Sequence, residues 1–165
     1  MSLDQLDARL LELLAADARI GVMEASRRLG VARGTVQARI DRLERTGVVR
    51  GWGPDLDPEA IGFPVTAFVT LEIRQGGGHD PVGEHLARIP EVIEAHTVSG
   101  PGDLWCHVVA RSNADLQRVL DTVVSHPGIE RSATMISLTR QVDHRVLPLV
   151  GATTTAAEGG AGSSR

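Results

Sequence analysis

The strongest constraint in this chain is a change of hydrophobic period near residue 64. Before it, apolar residues recur every three or four positions: Leu6, Leu10 and Leu13, then Val22, Ala25 and Leu29, then Val36, Ile40 and Leu43. After it, Val65, Ala67, Val69, Leu71 and Ile73 alternate with Thr66, Thr70 and Glu72. The first spacing lays one stripe along a helix and the second lays one face on a strand, so neither pattern substitutes for the other. The chain therefore builds a helical unit first and a sheet second.

In the helical unit, Asp4 is placed to cap a first helix over 4–16, with Asp7 three residues on favouring its positive end. A short second helix closes at Gly30, and a third runs over 33–46 to Gly47. A three-residue turn containing glycine joins the last two, with the small Ser26 four residues before Gly30, which is helix-turn-helix spacing. Charge agrees: residues 21–50 hold seven Arg against three acids, whereas residues 51–150 hold seven Arg against thirteen. A cationic head on an acidic body is the footprint of polyanion binding.

At 100° per residue, the third helix turns Gly34, Ala38 and Arg45 away from its buried stripe, with Thr35, Gln37, Asp41 and Arg42 beside them. Small residues at the centre of that face suit close approach to the floor of a major groove. Thr35 and Gln37 are then candidates for base edges, and Arg27, Arg28, Arg33, Arg42 and Arg45 for phosphates of double-stranded DNA.

Residues 48–50 begin with two β-branched residues, Val48 and Val49, and read as a short strand running into a linker at 51–63, which gives a winged or plain helix-turn-helix domain over 1–50. From 64 to 145 the order is βαββαβ, with a turn in "QGGGHD", a helix opened by Asp80 and Pro81, and a second helix capped by "SNAD". This α+β order folds into an antiparallel, ferredoxin-like sheet with both helices on one face. The other face stays open while Val69 and Val109 are apolar, so a second copy of the chain is expected to cover it. Residues 146–165, ending "GATTTAAEGGAGSSR", are expected to be a disordered tail.

Between the second and third strands, "SGPGD" reads either as a hairpin turn or as a ligand site. Gly100 and Gly102 leave backbone N–H groups open to a carboxylate, and Asp103 can accept from an ammonium. No run of 18 apolar residues exists to span a membrane and the N-terminus lacks secretory character, so a cytoplasmic site of action is expected. A single cysteine, Cys106, forms no internal disulfide. The six histidines show no HExxH or Cys-His spacing, so no catalytic residue, metal or cofactor is assigned.

Several spaced motifs resemble the Lrp/AsnC (feast/famine) family of prokaryotic transcription regulators over residues 3–145: "LDQLD", "RIDRLERTGVV", "PEV", "SGPGD" and "PGIERSAT". Departures are Ala32 at the start of the third helix, Ser99 before the loop glycine, and Leu104 followed by Trp105 after the loop aspartate. The resemblance implies that the second domain is a RAM domain, which forms dimers that assemble into tetramers or octamers. It also implies an amino acid or similar effector held between subunits by Ser99, Gly100, Gly102, Asp103, Leu104 and Thr134. Two other outcomes stay open: a DNA-organising protein that uses no effector, and a tetrapyrrole enzyme similar to sirohaem decarboxylases.

Overall fold

The computed structural model describes residues 3–74 and 80–152. They form two compact units, one holding the residues up to Pro54 and those from Val142 onward, the other running from Asp55 to Gln141. Most of the turn expected in "QGGGHD", with His79, lies outside the described residues, as does the tail from 153.

The first unit contains α1 (Gln5–Ala16), α2 (Val22–Leu29) and α3 (Arg33–Arg45). Leu10, Leu14, Ala25, Leu29, Val36 and Leu43 close its core, as the 3.6-residue period requires. A capping box starts α1: the Asp7 amide donates to Asp4 Oδ1 at 2.8 Å and the Asp4 amide to Asp7 Oδ2 at 3.1 Å. Gly30 ends α2 at φ +70°, where its amide donates to Ser26 O at 3.0 Å. The Ser26 hydroxyl donates to Val31 O at 2.8 Å and ties the turn shut.

Asp7 is more than a capping residue. Its side chain is fully buried, accepts from Arg39 Nη1 at 2.6 Å and pairs with Arg42 Nη2. Arg39 Nη1 also meets Asp4 Oδ1 at 2.7 Å, so two carboxylates of α1 and two guanidiniums of α3 make one cluster. A charge removed from water is tolerable only when paired and hydrogen-bonded, and here the pairing fixes the seam between the two helices.

The strand expected at 48–50 does not form. The amides of Val48 and Val49 donate to Leu43 O at 2.9 and 3.1 Å, so they finish α3 and are not available to a ladder. No strand precedes Val65 among the described residues. Trp52 Nε1 instead donates to Glu44 Oε1 at 2.6 Å, holding the following segment to α3.

The second unit is the expected α+β fold: β1 (Val65–Ile73), α4 (Asp80–Leu86), β2 (Val92–Thr97), β3 (Leu104–Ala110), α5 (Asn113–Val124) and β4 (Ile129–Ile136). Its sheet has the order β2-β3-β1-β4 with every pair antiparallel. Ala67, Val69 and Leu71 of β1 and Leu104, Cys106 and Val108 of β3 face the helices, against Val82, Leu86, Leu116, Val119 and Val123. Ser112 starts α5 by accepting from the Asp115 amide at 3.1 Å.

Two expectations are corrected here. Val69 is 0% exposed and does not lie on the open face, whereas Val109 does lie there, on the side of Trp105 and His107, but is only 4% exposed. Strand parity turns Val69 toward the helices and leaves Phe68, Trp105 and His107 on the other side. Residues 147–152 are helical, within the stretch from 146 expected to be disordered. Pro148 falls in the first turn of that helix, where its missing N–H breaks no intrahelical bond.

Replacing Asp7 with Ala strands Arg42, leaves Arg39 with Asp4 alone, and is expected to destabilise the first unit by about 3 kcal/mol in denaturant or thermal unfolding. A hydrogen bond from Arg39 holds the Asp4 carboxyl below its ordinary value. The stability it supplies is therefore complete above about pH 4 and is lost as pH falls through the lower folded-state value.

Candidate nucleic-acid interface and loop site

On α3 the exposed residues are Arg33, Gly34, Thr35, Gln37, Ala38, Asp41 and Arg45, together with Glu44. Six of these are among the expected interface residues and a seventh, Asp41, lies beside them, and a Cβ built on Gly34 meets nothing within 4 Å. Ala32 offers no side-chain cap, yet α3 still begins at Arg33 because the Ala32 carbonyl accepts from Thr35 and Val36 at 3.0 and 3.2 Å.

The expected phosphate contacts divide into three kinds. Arg33 and Arg45 have no side-chain partner among the described residues. Arg27 and Arg28 share Glu24, at 2.7 and 2.9 Å, and Arg28 foremost keeps that carboxyl below its usual range. Both arginines are more than half exposed, so these are surface pairs that a phosphate can displace. Arg42 turns inward to Asp7 and leaves the interface for the head's internal cluster. Arg39, which carried no role in the sequence reading, belongs to the same cluster. Its signal lay in the spacing itself, since Asp4 and Asp7 sit three residues apart and so do Arg39 and Arg42.

Gln37 Nε2 donates to Asp41 Oδ1 at 2.7 Å across one exposed turn of α3.

The loop between β2 and β3 is closed by the Val98 amide donating to Asp103 O at 3.0 Å. Beyond Leu71, which pairs with Leu104, β1 continues past the end of β3 and loses its neighbour on that side. Asp103 takes the neighbour's place: its amide donates to Leu71 O at 2.8 Å, and its Oδ2 accepts from the Ile73 amide at 2.7 Å. Its other oxygen accepts from no described residue. The amides of Ser99, Gly100 and Gly102 likewise donate to no described residue.

The two loop glycines are required for different reasons. Gly100 adopts φ +131° in open space, whereas Gly102 adopts φ +90° with an added Cβ only 2.2 Å from Thr70 Cγ2 and 3.2 Å from Leu71 O. Gly102 thus lets the loop lie directly on β1.

The remaining loop candidates separate. Leu104 is 4% exposed and belongs to the core, because β3 parity points it at the helices with Cys106. Thr134 is exposed on β4, in register with Val69, while the loop leaves β3 on the opposite side of β1. Two strand spacings, roughly 10 Å, and about as much again along the strands separate it from Asp103. Within one protomer, Thr134 and the loop do not meet around a small ligand.

The helix-free face of the sheet carries an aromatic cluster. Phe68 and Trp105 stack at 5.1 Å, and His107 and His96 pack against them at 5.1 and 5.9 Å respectively. Glu94 Oε1 lies 3.1 Å from His96 Nε2. His107 Nε2 is buried with no hydrogen-bond partner, and burial holds this imidazole below its ordinary pKa. On the opposite face burial pushes the Cys106 thiol up to about 11, where it is not a nucleophile at neutral pH. Among the described residues no group of three or more His, Cys, Asp or Glu is arranged to hold a metal ion, and no helix is long and apolar enough to cross a membrane.

Residues 3–44 match the AsnC-type helix-turn-helix domain, and residues 66–147 match the Lrp/AsnC ligand binding domain. The HTH-type transcriptional regulator FL11 of Pyrococcus horikoshii is 30% identical over 147 residues, covering 89% of this chain and 97% of its own. The structure of E. coli AsnC superposes with a TM-score of 0.83 at 25% identity, over 90% of this chain and all of that one. A feast or famine regulatory protein from M. tuberculosis, solved in complex with L-methionine, gives a TM-score of 0.77 at 30% identity over 88% and 98% of the two chains.

Gly102→Ala is expected to lower the melting temperature of the second unit well beyond Gly100→Ala, since only the former adds a steric clash to the unfavourable φ. Equal losses in parallel thermal unfolding would show that backbone conformation alone is what glycine supplies.

Proposed function

The chain belongs to the Lrp/AsnC family of transcription regulators, and on that premise we propose that α3 reads base edges of duplex DNA while the 98–103 loop binds an amino acid or similar zwitterion between copies of the chain. The observation that carries the first half is the exposed face of α3. There Arg33 and Arg45 lack internal partners, and Gly34 and Ala38 leave nothing between the helix backbone and a groove floor. Thr35 and Gln37 face base edges, while Arg33 and Arg45, joined by Arg27 and Arg28, face phosphates.

Support for the second half is chemical. The open amides of Ser99, Gly100 and Gly102 suit a carboxylate, and the remaining Asp103 oxygen suits an ammonium, so both poles of a zwitterion find partners. Leu104 contributes only as core wall. Thr134 joins the site only when a second copy supplies it. The L-methionine complex of the M. tuberculosis relative is in keeping with this ligand class.

In this reading the aromatic face of the sheet is covered by a second copy, forming a dimer that assembles further into tetramers or octamers. Phe68, Trp105 and the half-exposed Met135 supply apolar area there, and a partner can satisfy the orphaned His107 Nε2. Effector binding between copies then changes head spacing, and with it affinity for operator DNA.

Arg33→Ala and Arg45→Ala are each expected to reduce the salt slope of DNA binding by about 0.9, similarly on specific and random duplexes. Arg42→Ala should instead lower the melting temperature of the head. Fluorescence anisotropy across a salt series separates the two behaviours. A thermal-shift screen against the twenty amino acids should find at least one that stabilises the protein, by about 2.7 kcal/mol at 100 times its dissociation constant. Sedimentation of the same samples should give a dimer or a larger assembly. No shift with any amino acid, alongside intact DNA binding, would turn the reading toward a DNA-organising protein that uses no effector.

A further inference from the structure

We propose that Asp41 is a specificity-determining residue: it locks the Gln37 amide so that α3 prefers adenine over guanine at one position of each half-site. The inference rests on the reading of α3 as the base-reading helix and goes beyond it by naming the base and the residue that selects it.

Asp41 accepts hydrogen bonds and donates none, so its 2.7 Å contact must be with the nitrogen end of the Gln37 amide. That settles the amide's orientation on chemical grounds. A free glutamine amide has two N–H donors and one carbonyl acceptor. With one N–H held by Asp41, Gln37 presents one acceptor and one donor to its surroundings. Adenine offers the complement in the major groove, a donor at N6 beside an acceptor at N7, and guanine offers two acceptors, O6 and N7.

Two further features strengthen the choice. Asp41 forms no ion pair with Arg45, one turn further along, so among the described residues its carboxylate serves Gln37 alone. Its second oxygen is unpaired and would set negative charge beside the two acceptors of guanine. Gly34 and Ala38 are exposed and small, so no bulky neighbour at those positions keeps the Gln37–Asp41 pair from a base edge.

The test is selection of bound duplexes from a randomised pool, followed by competition between A and G at the selected position. It uses the full-length protein and its Asp41→Ala, Asp41→Asn and Gln37→Ala variants. The unsubstituted protein should prefer A over G by about tenfold or more where Gln37→Ala relaxes selection. Both Asp41 variants free the amide to rotate, and the ratio should fall to about twofold or less. Removing the negative charge strengthens binding to every duplex, and most of all to guanine, whose two acceptors faced it, so this change lowers the ratio as well. An unchanged ratio in both Asp41 variants would overturn the proposal while leaving base reading by Gln37 intact. So would selection of a base other than adenine at that position. If the unsubstituted protein selects no sequence at all, the reading of α3 itself fails and the proposal with it.

Discussion

A buried carboxylate decides how the head of this protein is built. Asp7 sits at the seam between the first and third helices, out of contact with water, and such a charge is stable only when surrounded by donors. Its own capping box supplies one, and Arg39 and Arg42 supply the rest. Because guanidiniums donate in fixed directions, the cluster sets the rotation of the third helix about its axis as well as its distance from the first. That rotation determines which arginines remain outside: Arg33 and Arg45 stay available, whereas Arg42 is withdrawn. The outward face is thus defined by a contact on the opposite flank.

The second unit depends on strand parity in the same way. One set of alternate residues on β1 and β3 fills the core beneath the helices, and the other set assembles Phe68, Trp105 and His107 on the free face. The chain has two Phe, two Trp and no Tyr, so half of its four large aromatics stand side by side here. The loop meets the sheet where β3 ends, and Asp103 substitutes for the missing strand.

What could be read from sequence was what is local. The 3.6 and 2 periods gave α1 to α5 and the four strands within a few residues, since each period is a property of one element, but not the helix at 147–152. Arg42 was misread because a helical projection places it near the outward face and cannot say which flank the first helix will cover. Yet the information was present, since the paired aspartates of "LDQLD" and the paired arginines of "RIDRLERTGVV" are the two halves of one cluster. Val48 and Val49 look like strand by composition, but their amides were already committed to closing a helix. Leu104 and Thr134 entered through the family resemblance. Parity sends the first into the core, and sheet order puts the second on the far side of β1. Gly102 was singled out for an open amide, and the structure adds a steric reason that only the packed loop reveals.

The contact between Gly102 and Thr70 leaves no slack at the mouth of the loop. A flap hinged in solvent could swing without disturbing its foundation, but this turn lies flush on the central strand, which is bonded to neighbours on both sides. Thr70 is paired in register with Trp105, so a displacement of the turn is passed to the aromatic surface one strand away. Rigidity in this spot works as leverage: a sub-ångström push at the rim is delivered to the sheet as a whole instead of being absorbed by a soft hinge.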